Sequence, residues 1–196
     1  MSTESSENTA SSELRPTPGQ TVGPFFHFGL MYERAHEIVE PGTPGAVRLH
    51  GRVLDGAMQP LPDAMVELWH ATPDGAVPDA RGSFKREGSF TGWGRSATDL
   101  EGRWWFRTLE PGATQGAPFF AAAVFARGLM DRLYTRIYLP GPATETDPFL
   151  QSLPAERRAT LIATREPDGS LSHDIVLQGE GETVFLDFAQ GGRARA

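Results

Sequence analysis

The stretch AVRLHGRVLDGAMQPLPDAMVELWHA, residues 46–71, contains two runs in which apolar or small residues recur at every second position. The positions that share this face are Val47, Leu49, Gly51 and Val53 in the first run, and Val66, Leu68 and His70 in the second. A two-residue period is typical of a strand with one buried face. The Gly- and Pro-containing segment between the runs predicts a turn. Residues 46–71 therefore predict two strands of a β-sheet protein.

The same alternation recurs further along the chain. It places Trp104 and Phe106 on one face of RWWFRTL (103–109), and it predicts a strand in RLYTRIYLPG (132–141) with Tyr134 and Tyr138 at the margin of its apolar face. The chain also has 22 Gly and 16 Pro, more turn-forming residues than a helical bundle needs. Many short strands joined by turns predict an all-β fold, an antiparallel β-sandwich with long loops.

Two local patterns add detail to this fold. PAERRATLIA (154–163) begins with a proline and has an early glutamate, which favours one short helix. HDIVLQ and ETVFLDF flank the glycines of GEGE (179–182), which predicts a hairpin.

The two ends of the chain differ from the middle. Residues 1–16 are polar and rich in Ser and Thr, and we expect a disordered tail there. Residues 189–196, AQGGRARA, are expected to be a flexible C-terminal tail. Residues 17–188 show no repeat and no break in composition, so they predict one domain that includes an N-terminal arm.

Composition excludes several classes of partner and cofactor. A net charge of −7 argues against nucleic acid and against an anionic membrane surface. The chain has no cysteine, which excludes disulfides, thiolate-bound metals and thiol nucleophiles. No apolar run reaches transmembrane length, and the first residues do not form a secretory signal. We expect a cytoplasmic protein.

A search for catalytic motifs finds none. The five histidines do not form HxH, HxxxH or HExxH pairs, and neither a phosphate-binding loop nor a GxSxG elbow is present. A single His on a strand is more often structural than a ligand, because metal sites need clustered ligands.

Five segments nevertheless carry a resemblance to a known family. LHGRVLD (49–55) with PLPDAMVELWHATPDG (60–75), and GRSATDLEGRWWFRTLEPG (94–112), resemble the intradiol ring-cleaving dioxygenases. TPGQTVGPFF (17–26) and DIVLQGEGETVFLDF (174–188) narrow the resemblance to the alpha chains of that family. The resemblance covers nearly the whole predicted domain and implies the family's sandwich fold.

The stretch GAPFFAAAVFARGL (116–129) departs from the iron-binding chains of this family. The resemblance implies that two tyrosines and two histidines hold ferric iron, and the two histidine positions fall on Phe119 and Ala121 here. ATQGA (113–117), which directly follows Pro111-Gly112, contains no tyrosine, and DARGSFKREGSF (79–90) contains none either. Phe and Ala cannot donate to Fe(III). We therefore expect no metal ligand in this chain, with Fe(3+) bound by a beta subunit of the same fold.

The resemblance also implies a substrate-binding role for five residues. Arg127 matches the arginine that faces the partner's iron site and meets the carboxylate of protocatechuate, an anion that a guanidinium binds through two parallel donors. Thr21, Gly23, Pro24 and Phe25 match the stretch that walls the substrate pocket. Phe25 departs from the tyrosine common at this position. Without the resemblance, Arg127 would be interpreted as an ordinary surface arginine. The N-terminal arm would be interpreted as a segment that packs against a neighbour.

Three functions remain open at this stage. The main hypothesis is an enzyme subunit that completes the site of an iron-bearing beta subunit, in which O2 opens protocatechuate to 3-carboxy-cis,cis-muconate. The alternative is a catalytically inactive β-sandwich binding or assembly module derived from the same fold. A third possibility is a complete ring-cleaving enzyme with an unrelated metal site, against which the scattered histidines argue.

Overall fold

A computed structural model describes residues 17–23, 25–79, 90–188 and 193–194. The strands are β1 (Ala46–Leu54), β2 (Met65–Trp69), β3 (Trp93–Ala97), β4 (Arg103–Leu109), β5 (Phe119–Phe125), β6 (Leu133–Tyr138), β7 (Thr164–Arg165), β8 (Leu171–Ser172), β9 (Ile175–Val176), β10 (Leu186–Asp187) and β11 (Arg193–Ala194). The helices are α1 (Phe26–Gly29), a 3-10 helix (Pro142–Glu145), α2 (Pro148–Gln151) and α3 (Ala155–Ala159).

The strands form two sheets. The first sheet has the order β4-β1-β8-β7, with β9 also paired to β1, and the second has the order β11-β10-β6-β5-β2-β3. The long pairings are antiparallel, whereas the short strands β8 and β9 lie parallel to β1. The all-β sandwich expected from the sequence is confirmed, with these two parallel pairings as an addition.

The apolar faces predicted from alternation meet between the sheets. In β1 the inward positions 47, 49, 51 and 53 are buried while residues 46, 48 and 52 are exposed. Trp104 and Phe106 of β4 pack into the same core, together with Phe120 and Ile137 of the second sheet. Burial of apolar surface at about 25 cal/mol per Å² is the main force that holds the two sheets together.

A second, smaller apolar cluster lies where the helices cover β6. It contains Ala117, Tyr138, Leu150, Leu161 and Val184. Asp147 caps α2 by accepting hydrogen bonds from the backbone N–H groups of Phe149 and Leu150, both at 3.0 Å. The expected marginal position of Tyr138 is wrong, because its side chain is completely buried within this cluster. Tyr134 is half-buried, as expected.

Two further expectations need correction. α3 begins after Pro154, as the sequence predicts, but the described residues form three short α-helices and a 3-10 helix where one helix was expected. The predicted hairpin across residues 179–182 is wrong, because β9 pairs with β1 in the first sheet and β10 pairs with β6 in the second. The glycine-rich turn therefore carries the chain from one sheet to the other. Across it, Thr183 N–H donates to Val176 O and Val176 N–H donates to the Thr183 hydroxyl, both at 3.0 Å.

The two predicted tails lie mostly outside the described residues. The described part of the C-terminal segment is Arg193–Ala194, whose backbone pairs antiparallel with β10. The boundaries at residues 16 and 189 remain predictions. No helix in the described part of the chain is long and apolar enough to cross a membrane.

Candidate functional site

Arg127 lies in the turn that follows the C-terminal end of β5, an interior strand of the second sheet. Its Nε–H donates to Oδ2 of Asp63, with which it forms an ion pair. The Arg127 side chain is 57% exposed and that of Asp63 is 18% exposed. Asp63 engages Nε, and the outer edge of the guanidinium, formed by the two Nη groups, can donate to a second carboxylate.

The N-terminal arm, which begins at residue 17 and ends near Leu30, reaches the same turn. The hydroxyl of Thr21 accepts a hydrogen bond of 2.7 Å from the backbone N–H of Gly128. Gly128 has φ +91°, a conformation that L side chains rarely adopt, so this turn depends on a glycine next to Arg127. The structure thus brings Thr21 to the turn of Arg127, and the sequence resemblance had proposed both residues as substrate-binding.

The other proposed residues of the arm lie further along it. Gly23 is exposed, and Phe25 is 75% exposed at the start of α1. Pro24 lies outside the described residues. The arm is held at its far end by Arg95, whose Nη1 donates to Leu30 O at 2.6 Å. Substrate binding by these residues and by Arg127 stays a prediction.

Sequence reasoning missed Asp63 as the partner of Arg127. β2 and β5 are antiparallel with Met65 opposite Phe125. Continuing this register by two residues places position 63 opposite position 127. Asp63 could have been identified only from the pairing of β2 with β5, and the sequence alone does not give that pairing.

Phe119 and Ala121, which the sequence resemblance matches to the family's metal-binding histidines, line a cavity at the other end of β5. The cavity has a volume of about 190 Å³, and Phe119, Ala121, Gly112 and His70 are among its lining residues. Phe119 and Ala121 offer no metal donor. Among the described residues, no group of three or more His, Asp or Glu side chains could hold a metal ion. The residues present do not fit ferric iron.

His70 borders this cavity but is fully engaged by the protein. Its Nδ1–H donates to Ala71 O at 2.8 Å, so Nε2 accepts from the Thr108 hydroxyl at 2.6 Å. The ring also lies edge-on to Phe120, with centroids 5.0 Å apart. Burial lowers the pKa of His70 to about 4, against the weaker effect of the Ala71 carbonyl. His70 is therefore a neutral structural residue.

Two buried histidines, His70 and His173, predict that the protein loses stability in acid. Burial also lowers the pKa of His173 to about 4. An unfolded histidine titrates near 6.5, so between pH 6.5 and 4 the unfolded chain binds protons that the folded chain does not. The free energy of unfolding should keep its full value above pH 6.5. As the pH is lowered below 6.5, it should decrease by up to about 2.7 kcal/mol per pH unit for two histidines.

Urea unfolding at pH 7.5, 6.5, 5.5 and 4.5 measures this effect. The variant His70→Gln should show a shallower decline than the wild type over the same range, because one of the two groups no longer titrates. Equal declines in both proteins would show that His70 does not contribute.

Comparison with known proteins places the chain in a family. A family model described as Dioxygenase matches residues 27–121. The chain is 37% identical over 201 residues to the protocatechuate 3,4-dioxygenase alpha chain of Pseudomonas putida, covering 90% of this chain and 98% of that one. The chain belongs to the intradiol dioxygenase family. The confirmed resemblance is to the alpha chains, since the match runs along almost the full length of both proteins.

Two further relatives of the intradiol dioxygenase family complete the comparison. The protocatechuate 3,4-dioxygenase beta chain of Burkholderia cepacia is 31% identical over 184 residues, covering 84% of this chain and 76% of that one. The dioxygenase domain of a dioxygenase carbohydrate-binding protein fusion from Streptomyces sp. SirexAA-E is 26% identical, with a TM-score of 0.58 and coverage of 84% and 99%. Its match supports the sandwich architecture described above.

Proposed function

We propose that this chain is the non-iron alpha subunit of a protocatechuate 3,4-dioxygenase and completes the substrate pocket of an iron-bearing beta chain. The observation that carries the proposal is the full-length likeness to an alpha chain. Two chemical features agree with it: positions 119 and 121 carry no metal donor, and Arg127 presents a guanidinium beside the arm. The proposal includes a cytoplasmic location.

In this proposal the two chains have different roles in catalysis. Ferric iron held by the beta chain supplies the chemistry by which O2 opens the ring between its two hydroxyl-bearing carbons, giving 3-carboxy-cis,cis-muconate. The present chain binds and orients. Arg127, steadied by Asp63 at Nε, offers its Nη groups to the ring carboxylate, and Thr21 keeps the arm against the Arg127 turn.

The exposed apolar side chains of the arm support a partner. Phe28 is 70% exposed and Leu30 is 45% exposed, next to the still more exposed Phe25. Exposed aromatic residues grouped on one segment are typical of a surface that another protein covers. We expect the isolated chain to self-associate at high concentration and the co-expressed pair to remain a discrete hetero-oligomer.

Co-expression with a beta chain that carries the iron ligands tests the proposal. The two chains should co-purify, contain iron in proportion to the beta chain, and consume O2 with protocatechuate. The isolated chain should be colourless, because its residues offer no tyrosinate or histidine set for iron. A visible tyrosinate-to-iron band with one iron per isolated chain would overturn the assignment.

The same experiment separates the alternative function. A binding or assembly module derived from the fold would co-purify with the beta chain without affecting ring cleavage. The proposed subunit role instead requires that cleavage of protocatechuate depend on this chain and on Arg127.

A further inference from the structure

The outer face of the second sheet contains two adjoining cavities that the proposed function does not use. One has a volume of about 190 Å³ and the other of about 260 Å³. Trp69, Phe119 and Ala121 line both. Together they lie within the lower part of the roughly 300–1,000 Å³ that small-molecule sites occupy.

Small side chains create this space. Ala121 in β5 lies directly opposite Trp69 of β2 on one side and Arg136 of β6 on the other. Ala123, on the same face and two residues along, lies opposite Tyr134 of β6. Alternate residues of a strand share a face, so the two alanines form a low floor between taller neighbours. The walls above this floor are aromatic.

Arg136 is the cation of this site. Its guanidinium carbon lies 4.4 Å from the centroid of Phe119 and 5.1 Å from that of Phe149. Its Nη1 donates to the Tyr138 hydroxyl at 3.0 Å. No carboxylate among the described residues pairs with it, in contrast to Arg95, which pairs with Glu67 on the same face of the sheet. A half-buried guanidinium beside a cavity is a binding group for an anion.

We propose that this cavity binds a small planar aromatic carboxylate, with its ring between Trp69 and Phe119 and its carboxylate on Arg136. Aromatic walls favour a flat apolar ring, and one guanidinium on the wall favours one negative group. Arg127 follows the opposite end of β5, six residues beyond Ala121, which corresponds to about 20 Å of extended chain. The inference concerns binding only, and it stands whether or not this chain joins a dioxygenase.

Cysteine protection gives a local measurement of binding. The chain has no cysteine, so Ala121→Cys introduces a single thiol at the floor of the cavity with little added volume. The matched control is Ser152→Cys, an exposed position at the end of α2. Each full-length variant, alone and in complex with the beta chain, is alkylated with iodoacetamide with and without benzoate, and the mass of this chain is followed over time.

Benzoate should slow alkylation of Ala121→Cys at least tenfold at saturation and leave Ser152→Cys unchanged. Benzamide, which has the same shape without the charge, should protect only at much higher concentration. Adding Arg136→Gln should raise the benzoate concentration needed for protection roughly ten- to hundredfold, as expected for one lost charge-assisted contact.

Three results would overturn the inference: no protection by benzoate, equal protection by benzamide, or protection that survives Arg136→Gln. Calorimetric titration of benzoate into the wild-type chain and into Arg136→Gln repeats the comparison without the thiol, should Ala121→Cys fail to fold. Because the readout is alkylation or heat rather than ring cleavage, failure here is distinguishable from failure of the proposed subunit function.

Discussion

Replacing Arg127 with alanine is expected to lower kcat/KM for protocatechuate roughly ten- to hundredfold in the co-purified complex. The change removes a charge-assisted contact with the substrate carboxylate, worth about 1.5–3 kcal/mol. The loss should be specific, since catechol has no carboxylate and its turnover should change little. Iron content and assembly should remain as in the wild type, because Arg127 is not a metal ligand in this scheme.

Two further variants sharpen the interpretation. Arg127→Lys should recover only part of the loss, because an ammonium group cannot reproduce the planar fork of donors. Arg103→Ala is the matched control, since Arg103 is an exposed arginine whose contact with Glu101 is as long as 3.9 Å. Steady-state kinetics on both substrates decides the matter. Wild-type activity of Arg127→Ala on protocatechuate would make Arg127 an ordinary surface residue, and equal losses on both substrates would make its role structural.

Asp63 gives the same hypothesis an independent test. It holds Nε of Arg127 and is therefore a positioning residue. Removing its charge should let the guanidinium swing out of line, which costs orientation more than contact. In Asp63→Asn we expect a smaller loss on protocatechuate than in Arg127→Ala, confined again to the carboxylated substrate.

The features predictable from the sequence are those that depend on local pattern. Alternation in residues 46–54 and 65–69 identified both strands and their buried faces, because a period of two has one structural meaning. The lack of a metal donor at positions 119 and 121 follows from the sequence alone, since the chemistry of Phe and Ala excludes donation whatever the fold. That these positions match metal ligands of the family stays a prediction.

The missed features depend on which distant segments meet. The glycines at 179 and 181 indicated a turn, but not that the following strand would join the other sheet. Tyr138 alternates with apolar neighbours like a residue at the margin, but it packs in a buried cluster with Leu150 of α2 and with Leu161, which follows α3. The cavity beside Arg136 was unpredictable for the same reason, because it arises from the register of three strands.

At Gly51 a tertiary contact explains why the residue is a glycine. The sequence pattern predicted only that this position faces the core. It lies on the inward face of β1, where the alternation predicted an apolar or small residue. A Cβ built on Gly51 would lie 1.7 Å from the carbonyl oxygen of His173 and 3.1 Å from Cζ2 of Trp104. The backbone at His173 therefore passes directly over this position. His173 N–H also bonds to His50 O at 2.8 Å, which holds the two segments together.

The substitution Gly51→Ala should consequently be among the most damaging single-methyl changes in this chain. Neither the backbone of residue 173 nor the buried Trp104 ring can withdraw without breaking the pairing of β1 with β8 and β9. We expect a loss of about 3 kcal/mol or more, at the upper end of the cost of overpacking. For a domain of this size that corresponds to a drop in Tm of roughly 6–12 °C.

Gly29→Ala is the matched control for this prediction. A Cβ at Gly29 would meet nothing within 4 Å, and Gly29 does not require a positive φ. The same methyl group should therefore leave Tm within a few degrees of the wild type, since alanine is favoured over glycine in a helix. Thermal and urea unfolding of both variants measure the difference. Equal stability of Gly51→Ala and Gly29→Ala would mean that β1 and the segment at His173 can separate at little cost, and the close backbone approach would then not explain the glycine.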